Sequence, residues 1–245
     1  MKNIFLSILL LLAGSFVYGQ DTVKRTNNLT AQLLEKYSVL KSNKKLRQGE
    51  YYAVYKQTTI MAKGRYEAGK RVGLWNYFTR NGKLLQTFDY DKYQFNYRDT
   101  LSGRKAIQYN FPQSIFKTDT LSNPIVIGGF DYTIYPLILK KELNDAIRSD
   151  FPPEQKIDVK HIFTISPTGV LLKHEVVATG AGITKVYKLD DQDFDDGNRK
   201  FIPGMINHQP VVCQITTDAP MSYTTTQNFS GFPRPKEAAN RDGFN

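Results

Sequence analysis

The chain repeats itself. Laid over one another, "GEYYAVYKQTTIMAKGRY" from Gly49 and "GLWNYFTRNGKLLQTFDY" from Gly73 keep an offset of 24 residues throughout: Gly49 meets Gly73, Tyr51 meets Trp75, Ile60 and Met61 meet Leu84 and Leu85, and Tyr66 meets Tyr90. A fixed period with aromatic side chains at matching places is what stacked supersecondary units leave in a sequence, because each unit buries its apolar face against the next. Within each unit two aromatic or β-branched runs flank a polar turn. In "WNYFTRNGKLLQTF", Asn81 and Gly82 offer the positive φ angles of a tight hairpin. The spacing therefore predicts a short array of β-hairpins. A phosphate-binding loop is excluded, since "GKRVG" has neither the glycine spacing nor the Lys-Ser/Thr that ends one.

The same stretch "YEAGKRVGLWNYFTRNGKL" resembles the MORN-repeat variant of many bacterial exported proteins, with the pattern Y-x-x-G-K-x-x-G-x-W-x-Y-F-x-x-N-G. Tyr66, Gly69, Lys70, Gly73, Trp75, Tyr77, Phe78, Asn81 and Gly82 fall on it. The preceding copy is degenerate, with Lys56 to Thr59 in place of the Asn-Gly turn, so the array is short and is assigned to residues 46–98. The resemblance implies that the glycines serve turns and the aromatics stack between rungs. Residues 20–45 ahead of it, including "LTAQLLEKYSVLK", read as a helical lead-in.

Charge is unevenly spread. Residues 21–110 carry 18 Lys or Arg against 7 Asp or Glu, whereas residues 111–245 carry 14 against 16. The amino end, "MKNIFLSILLLLAGSFVYGQ", has a basic Lys2, an apolar run from Ile4 to Leu12 and a small-x-small site at Val17 and Gly19. That is the pattern of a cleaved secretory signal over residues 1–19, and the run falls short of the roughly 20 apolar residues of a membrane span. A periplasmic or outer-membrane-associated location is expected. A basic face on an exported protein then points to anionic envelope material rather than nucleic acid. Cys213 is the single cysteine, so no internal disulfide is available; "PVVCQIT" reads as a strand interior with an inert thiol.

The carboxy-terminal half reads as a small α+β module. Residues 99–123 are polar and turn-rich, and are taken as a linker. A helix is expected after Pro136, with Leu137, Leu139, Leu143, Ala146 and Ile147 on one face and "FPP" as its stop. Next, "KIDVKHIFTISPTGVLLKHEVVATG" predicts a hairpin with Pro167 and Thr168 as its loop. That register sets Lys160 opposite Glu175, Phe163 opposite Leu172 and His161 opposite His174. One face then carries Ile157, Val159, His161, Phe163, Ile165, Val170, Leu172, His174 and Val176, the expected core.

This order resembles the TonB C-terminal domain over residues 124–223. Tyr135 and Pro136, Gly169, and Phe201, Pro203, Asn207 and Pro210 ahead of the last strand carry the likeness. The resemblance implies an antiparallel sheet with two helices that receives an extended peptide, for instance from an outer-membrane transporter, by strand addition. A short cleavable segment and a β-repeat stand where a transducer has a membrane anchor and a proline-rich spacer, so the chain reads as a relative that keeps the binding fold without the motor linkage. Its docking edge is assigned to the last strand, Val211, Val212, Cys213, Gln214, Ile215 and Thr216, which follows the turn "NHQP".

Other constellations fall short of chemistry. His161 and His174 lack a third metal ligand, and His208 reads as turn surface. In "DDQDFDDGN", Asp191, Asp193 and Asp195 alternate as in a calcium loop, but Asp196 and Ile202 stand where glycine and a bidentate Glu belong, so the run reads as the acidic first turn of a short helix. No catalytic triad, paired-carboxylate pocket or cofactor fingerprint is legible, and a non-enzymatic protein with no cofactor and no metal is expected. Residues 224–245 read as a polar tail.

Overall fold

The computed structural model describes residues 21–99, 107–138, 141–153, 156–189, 201–219 and 221–222. The expected signal segment, the acidic run Asp190–Asn198 with Asp191, Asp193 and Asp195, and the tail 224–245 lie outside the described residues.

Strands β1 (Thr22–Asn28), β2 (Leu33–Leu40), β3 (Arg47–Tyr55), β4 (Thr59–Glu67), β5 (Lys70–Phe78), β6 (Leu84–Asp89) and β7 (Gln94–Arg98) form one antiparallel meander in chain order. The 24-residue offset superimposes hairpin β3–β4 on hairpin β5–β6. Hairpin β3–β4 turns without glycine through Lys56 and Gln57, at φ 47° and 64°. Between β4 and β5, Ala68 and Gly69 turn at φ 45° and 82°. In the Asn81-Gly82 turn only Gly82 takes a positive φ, 82°, and the Thr79 amide bonds the Lys83 carbonyl across a longer loop. The tight two-residue turn expected there is not the one formed.

The array is larger than its aromatic signature. Among the described residues the expected helix over 20–45 is absent: β1 and β2 are two further strands of the sheet, with Leu33, Glu35 and Val39 buried on one face of β2. The period-two alternation prevails because β3 offers β2 a ladder to pair with, and ladder pairing outweighs weak helix propensity.

Gly64 shows how closely the rungs approach. Pairing between β4 and β5 shifts between Lys63 and Arg65, and a Cβ on Gly64 would stand 2.2 Å from the Trp75 indole. The ring lies flat on backbone. Around it Tyr51, Tyr66, Tyr77 and Tyr90 sit at ring distances of 5.1–6.1 Å, the spacing of favourable tilted and edge contacts.

The second sheet runs β13 (Ile183–Leu189), β12 (Leu171–Gly180), β11 (Lys156–Ile165), β17 (Cys213–Asp218), β8 (Ile107–Asn110), with β18 (Met221–Ser222) pairing the start of β11. Two small ladders complete it: β10 (Ile125–Val126) with β14 (Phe201–Ile202), and β16 (Gln209–Val211), β15 (Gly204–Ile206) and β9 (Leu121–Ser122). A wide helical turn, Phe130–Ile134, leads into α1 (Tyr135–Ile138), and α2 (Lys141–Ser149) follows. Ile134, Leu137 and Ile138 pack with Phe163, Ile165 and Ile215, while Leu143 and Ile147 pack with Ile157, Val159 and Val176. The protein is thus mainly antiparallel β with two short helices.

Three expectations need correction. Residues 99–123 are not merely a linker, since β8 and β9 are strands within them. Nor are the halves separate, because Ile127 and Tyr132 belong to the aromatic core of the first sheet. The register of hairpin β11–β12 is two residues away from that expected, with His161 opposite Val176 and Phe163 opposite His174. A two-residue slip keeps the buried face, so Ile157 to Ile165 remain core. Pairing skips Leu172 between Lys173 and Leu171; it is 52% exposed, and Val170 is 45% exposed. Both leave the expected core.

Candidate functional site

The core face of the first sheet holds the buried Arg71, the part-buried Arg47 and the buried Glu35 among phenols. Glu35, on the core face of β2, accepts from Arg47 Nη2 and Asn27 Nδ2 at 2.9 Å and from the Tyr51 hydroxyl at 3.0 Å. Having donated to Glu35, Tyr51 must accept from Tyr132 across their 2.8 Å contact. The Tyr132 hydroxyl in turn accepts from Arg71 Nη2 at 3.4 Å. A directed chain, Arg71 to Tyr132 to Tyr51 to Glu35, thus links a buried cation to a buried anion through two hydroxyls.

The rest of Arg71 is held by phenols as well. Its Nε reaches Tyr66 at 3.2 Å and its Nη1 reaches Tyr77 and Tyr90 at 3.0 and 2.8 Å. Its plane lies 4.4 Å from the Trp75 ring, a cation–π contact in a dry setting. Arg47 also donates to Tyr66, so that one hydroxyl bridges both guanidinium groups. Burial raises the Tyr51 and Tyr77 hydroxyls well above the ordinary phenol value and takes Tyr132 up to about 12, with Arg71 pulling Tyr77 and Tyr132 partly back. These phenols stay protonated at ordinary pH. The arrangement holds charge in place.

Tyr132 comes from the second half of the chain, so this network is also the joint between the sheets. Two neighbours reinforce it. Gln86 donates to the Val126 carbonyl at 3.0 Å and accepts from the Gly128 amide at 2.7 Å, and Arg80 pairs with Asp131 at 2.9 Å while stacking on Tyr135.

The two histidines do meet, although not as directly opposed partners: His161 Nδ1 and His174 Nε2 lie 2.9 Å apart, diagonally across β11 and β12. Both are buried, with the Phe163 ring stacked 4.2 Å from His174. Burial lowers the His161 pKa to about 4, so it is neutral in the fold. Among the described residues no group of three or more His, Cys, Asp or Glu is placed to hold a metal ion. Cys213 is fully buried and its thiol is raised by burial, against a partial pull from the Gly204 amide; it is not poised as a nucleophile.

The assigned docking edge is not an edge. Gln214 to Thr217 pair with Thr164 to His161 on one side and with Asn110 to Ile107 of β8 on the other, so β17 is internal. Val211 ends β16, Val212 lies between the strands, and Cys213 and Ile215 point into the core. The position of a last strand in sequence says nothing about its position in a sheet when an earlier segment returns to cover it.

Among the described residues the second sheet ends instead on β8 and β13. All seven residues of β13 pair with β12 through a two-residue turn, Ala181 and Gly182 at φ 52° and 75°. The closing pair of such a hairpin, Gly180 with Ile183, exchanges both hydrogen bonds, and bonded pairs then alternate. Ile183, Lys185, Tyr187 and Leu189 therefore turn their amides to β12, and Thr184, Val186 and Lys188 turn theirs outward. Asp150, just past α2, holds the strand by accepting from Lys185 Nζ at 2.8 Å and the Tyr187 hydroxyl at 2.7 Å; both bonds keep its carboxyl below the usual range.

Of the residues read from sequence, Tyr66, Trp75 and Tyr77 converge on Arg71, while Gly69, Gly73, Asn81 and Gly82 stay at turns and bulges around the sheet. Sequence reasoning missed Glu35, Arg47, Arg71 and Tyr132. Charged residues in strands look like solvated faces, and only the alternation Leu33-Glu35-Tyr37-Val39 hinted that one of them points inward. An open depression lined by Gly64, Arg65, Glu67, Val72, Gly73, Leu74 and Asp91 marks the outer side of the Trp75 rung. Among the described residues no helix is long and apolar enough to cross a membrane. No family model, curated protein or solved structure matches the chain.

Proposed function

We propose that this is an exported, non-enzymatic cell-envelope protein in which a MORN-like hairpin sheet supports a TonB C-terminal-like module, and that the module binds an extended segment of an envelope protein, such as an outer-membrane transporter, by strand addition. The observation that supports it best is β13: a seven-residue strand whose Thr184, Val186 and Lys188 backbone groups face away from β12, with Val186 56% exposed. The last strand is withdrawn as the edge.

A Val186→Pro variant removes one outward donor without touching the β12 ladder, whereas Lys185→Pro removes a ladder donor. Captured from cross-linked envelope extracts, the partner should be lost with Val186→Pro at unchanged thermal stability, and Lys185→Pro should unfold at lower temperature. Equal partner recovery with Val186→Pro and wild type would refute strand addition at this edge.

A second reading has its own observation. On the open face of the first sheet, Lys36, Tyr52, Lys63, Asn76, Thr87 and Tyr97 form one cross-strand row, in the half of the chain that carries the basic excess. Contact of this row with anionic lipid or cell-wall polymer would be lost in a Lys36→Glu, Lys63→Glu variant that still captures the peptide partner.

A further inference from the structure

Among the described residues the outer edge of β13 has no strand beside it, and that edge is self-complementary. Its seven residues are centred on Val186, the middle one of the three whose amides face outward. A second copy approaching about a two-fold axis through Val186 pairs all seven: Val186 with Val186, Thr184 with Lys188, Lys185 with Tyr187 and Ile183 with Leu189. Each Thr184, Val186 and Lys188 finds a backbone partner. Val186 and Ile183, 56% and 40% exposed, gain apolar neighbours.

Lysines usually protect an edge from such pairing. Here they do not oppose it. Lys185 is already neutralised by Asp150 of its own chain, and in this register it faces a tyrosine. Lys188 faces a threonine. Centring the axis on Lys185 instead would set Lys185 against Lys185 and pair only five residues. The other edge of similar length behaves differently, because β1, Thr22–Asn28, would set Arg25 against Arg25. The self-complementarity belongs to β13 among these edges, and a closed two-fold contact ends the assembly at a dimer.

We infer that two copies of this chain associate antiparallel through β13, joining their second sheets into one. The pairing shares its edge with the proposed capture but does not depend on it: it needs no foreign partner, and a partner strand and a second copy would exclude one another.

The test uses the purified full-length chain alone. Sedimentation equilibrium should show a concentration-dependent monomer–dimer equilibrium, and Val186→Pro should remain monomeric at the highest concentration while keeping the wild-type melting temperature. In air, Val186→Cys should form an intermolecular disulfide at least tenfold faster than Thr184→Cys, because only residue 186 meets itself across the axis, within the Cα spacing that a disulfide spans. The buried native Cys213 is not expected to react. A wild-type chain that stays monomeric, or a dimer that survives Val186→Pro and cross-links equally through either cysteine, overturns the inference. Envelope capture measured on the same variants reads the other proposal separately, since a monomeric wild type could still lose its partner on Val186→Pro.

Discussion

The two sheets bury their polar groups in opposite ways. The first encloses ions, Arg71, Arg47 and Glu35, and satisfies them through a directed chain of phenols. The second encloses two hydrogen-bonded imidazoles, of which His161 is kept neutral by burial, among aliphatic and phenylalanine side chains. Charges in a dry core tolerate no missing partner, whereas neutral groups are sensitive to pH rather than to the loss of one neighbour. The first sheet therefore satisfies its buried charges from within. The second keeps an ordinary core, an open face and, among the described residues, an outer edge of β13 with no strand beside it.

The largest effect should come from the aromatic hub of the first sheet. Trp75→Ala removes a fully buried ring that packs on Gly64, Tyr51, Tyr66 and Arg71, and is expected to cost about 4 kcal/mol in chemical denaturation. A comparable loss without any loss of partner capture in the surviving folded fraction would keep Trp75 a support. Full stability with lost capture would reverse the roles of the two sheets.

Next comes the ionic chain. Glu35→Ala leaves Arg47 and the Arg71–Tyr132–Tyr51 relay without their anion and is expected to destabilise by about 3 kcal/mol. The cost should fall in part in a background carrying Tyr132→Phe, because the relay to Arg71 is then already cut while Arg47, Asn27 and Tyr51 still bond Glu35. Additive losses in this double-mutant cycle would mean that the phenols do not couple the two charges.

The second core should answer to acid. His161 has a folded pKa near 4 against an ordinary 6.5, so the unfolded chain takes up a proton that the fold refuses. The stability it contributes is complete above about pH 6.5, falls as pH drops toward 4 and is then spent, a loss of about 3 kcal/mol. Urea midpoints between pH 7 and 4 should show this slope in the wild type, and a markedly shallower one in His161→Phe. Parallel slopes would assign the acid sensitivity to other groups.

Smallest of all, Asp150→Asn should leave the melting temperature unchanged, since its carboxylate is a surface group. It should nonetheless speed exchange of the Lys185 and Tyr187 amides by releasing both side chains from α2.

Much of this was legible in residues. The offset linking Tyr51 to Trp75 located two hairpins and the hub ring, the helix after Pro136 formed, and alternation from Ile157 to Ile165 picked the buried face of β11. What failed depended on long-range pairing. Leu33 to Leu40 follows helical as well as alternate spacing, and only the neighbouring β3 settles the matter. Leu172 leaves the core because the pairing skips it, a local event that the apolar pattern does not record. β17 lost its edge to β8, four residues inside a stretch with the composition of a linker. The relay was invisible because Tyr132 reaches it from 61 residues beyond Arg71.

The free edge of β13 can be read directly by residue-resolved amide hydrogen exchange on the dilute, full-length chain. Thr184, Val186 and Lys188 should exchange rapidly, while Ile183, Lys185 and Tyr187 are slow, and the fast three should gain protection when a partner strand or a second copy is supplied. Uniform protection across Ile183–Leu189 at high dilution would show that the edge is already covered, and would contradict the account.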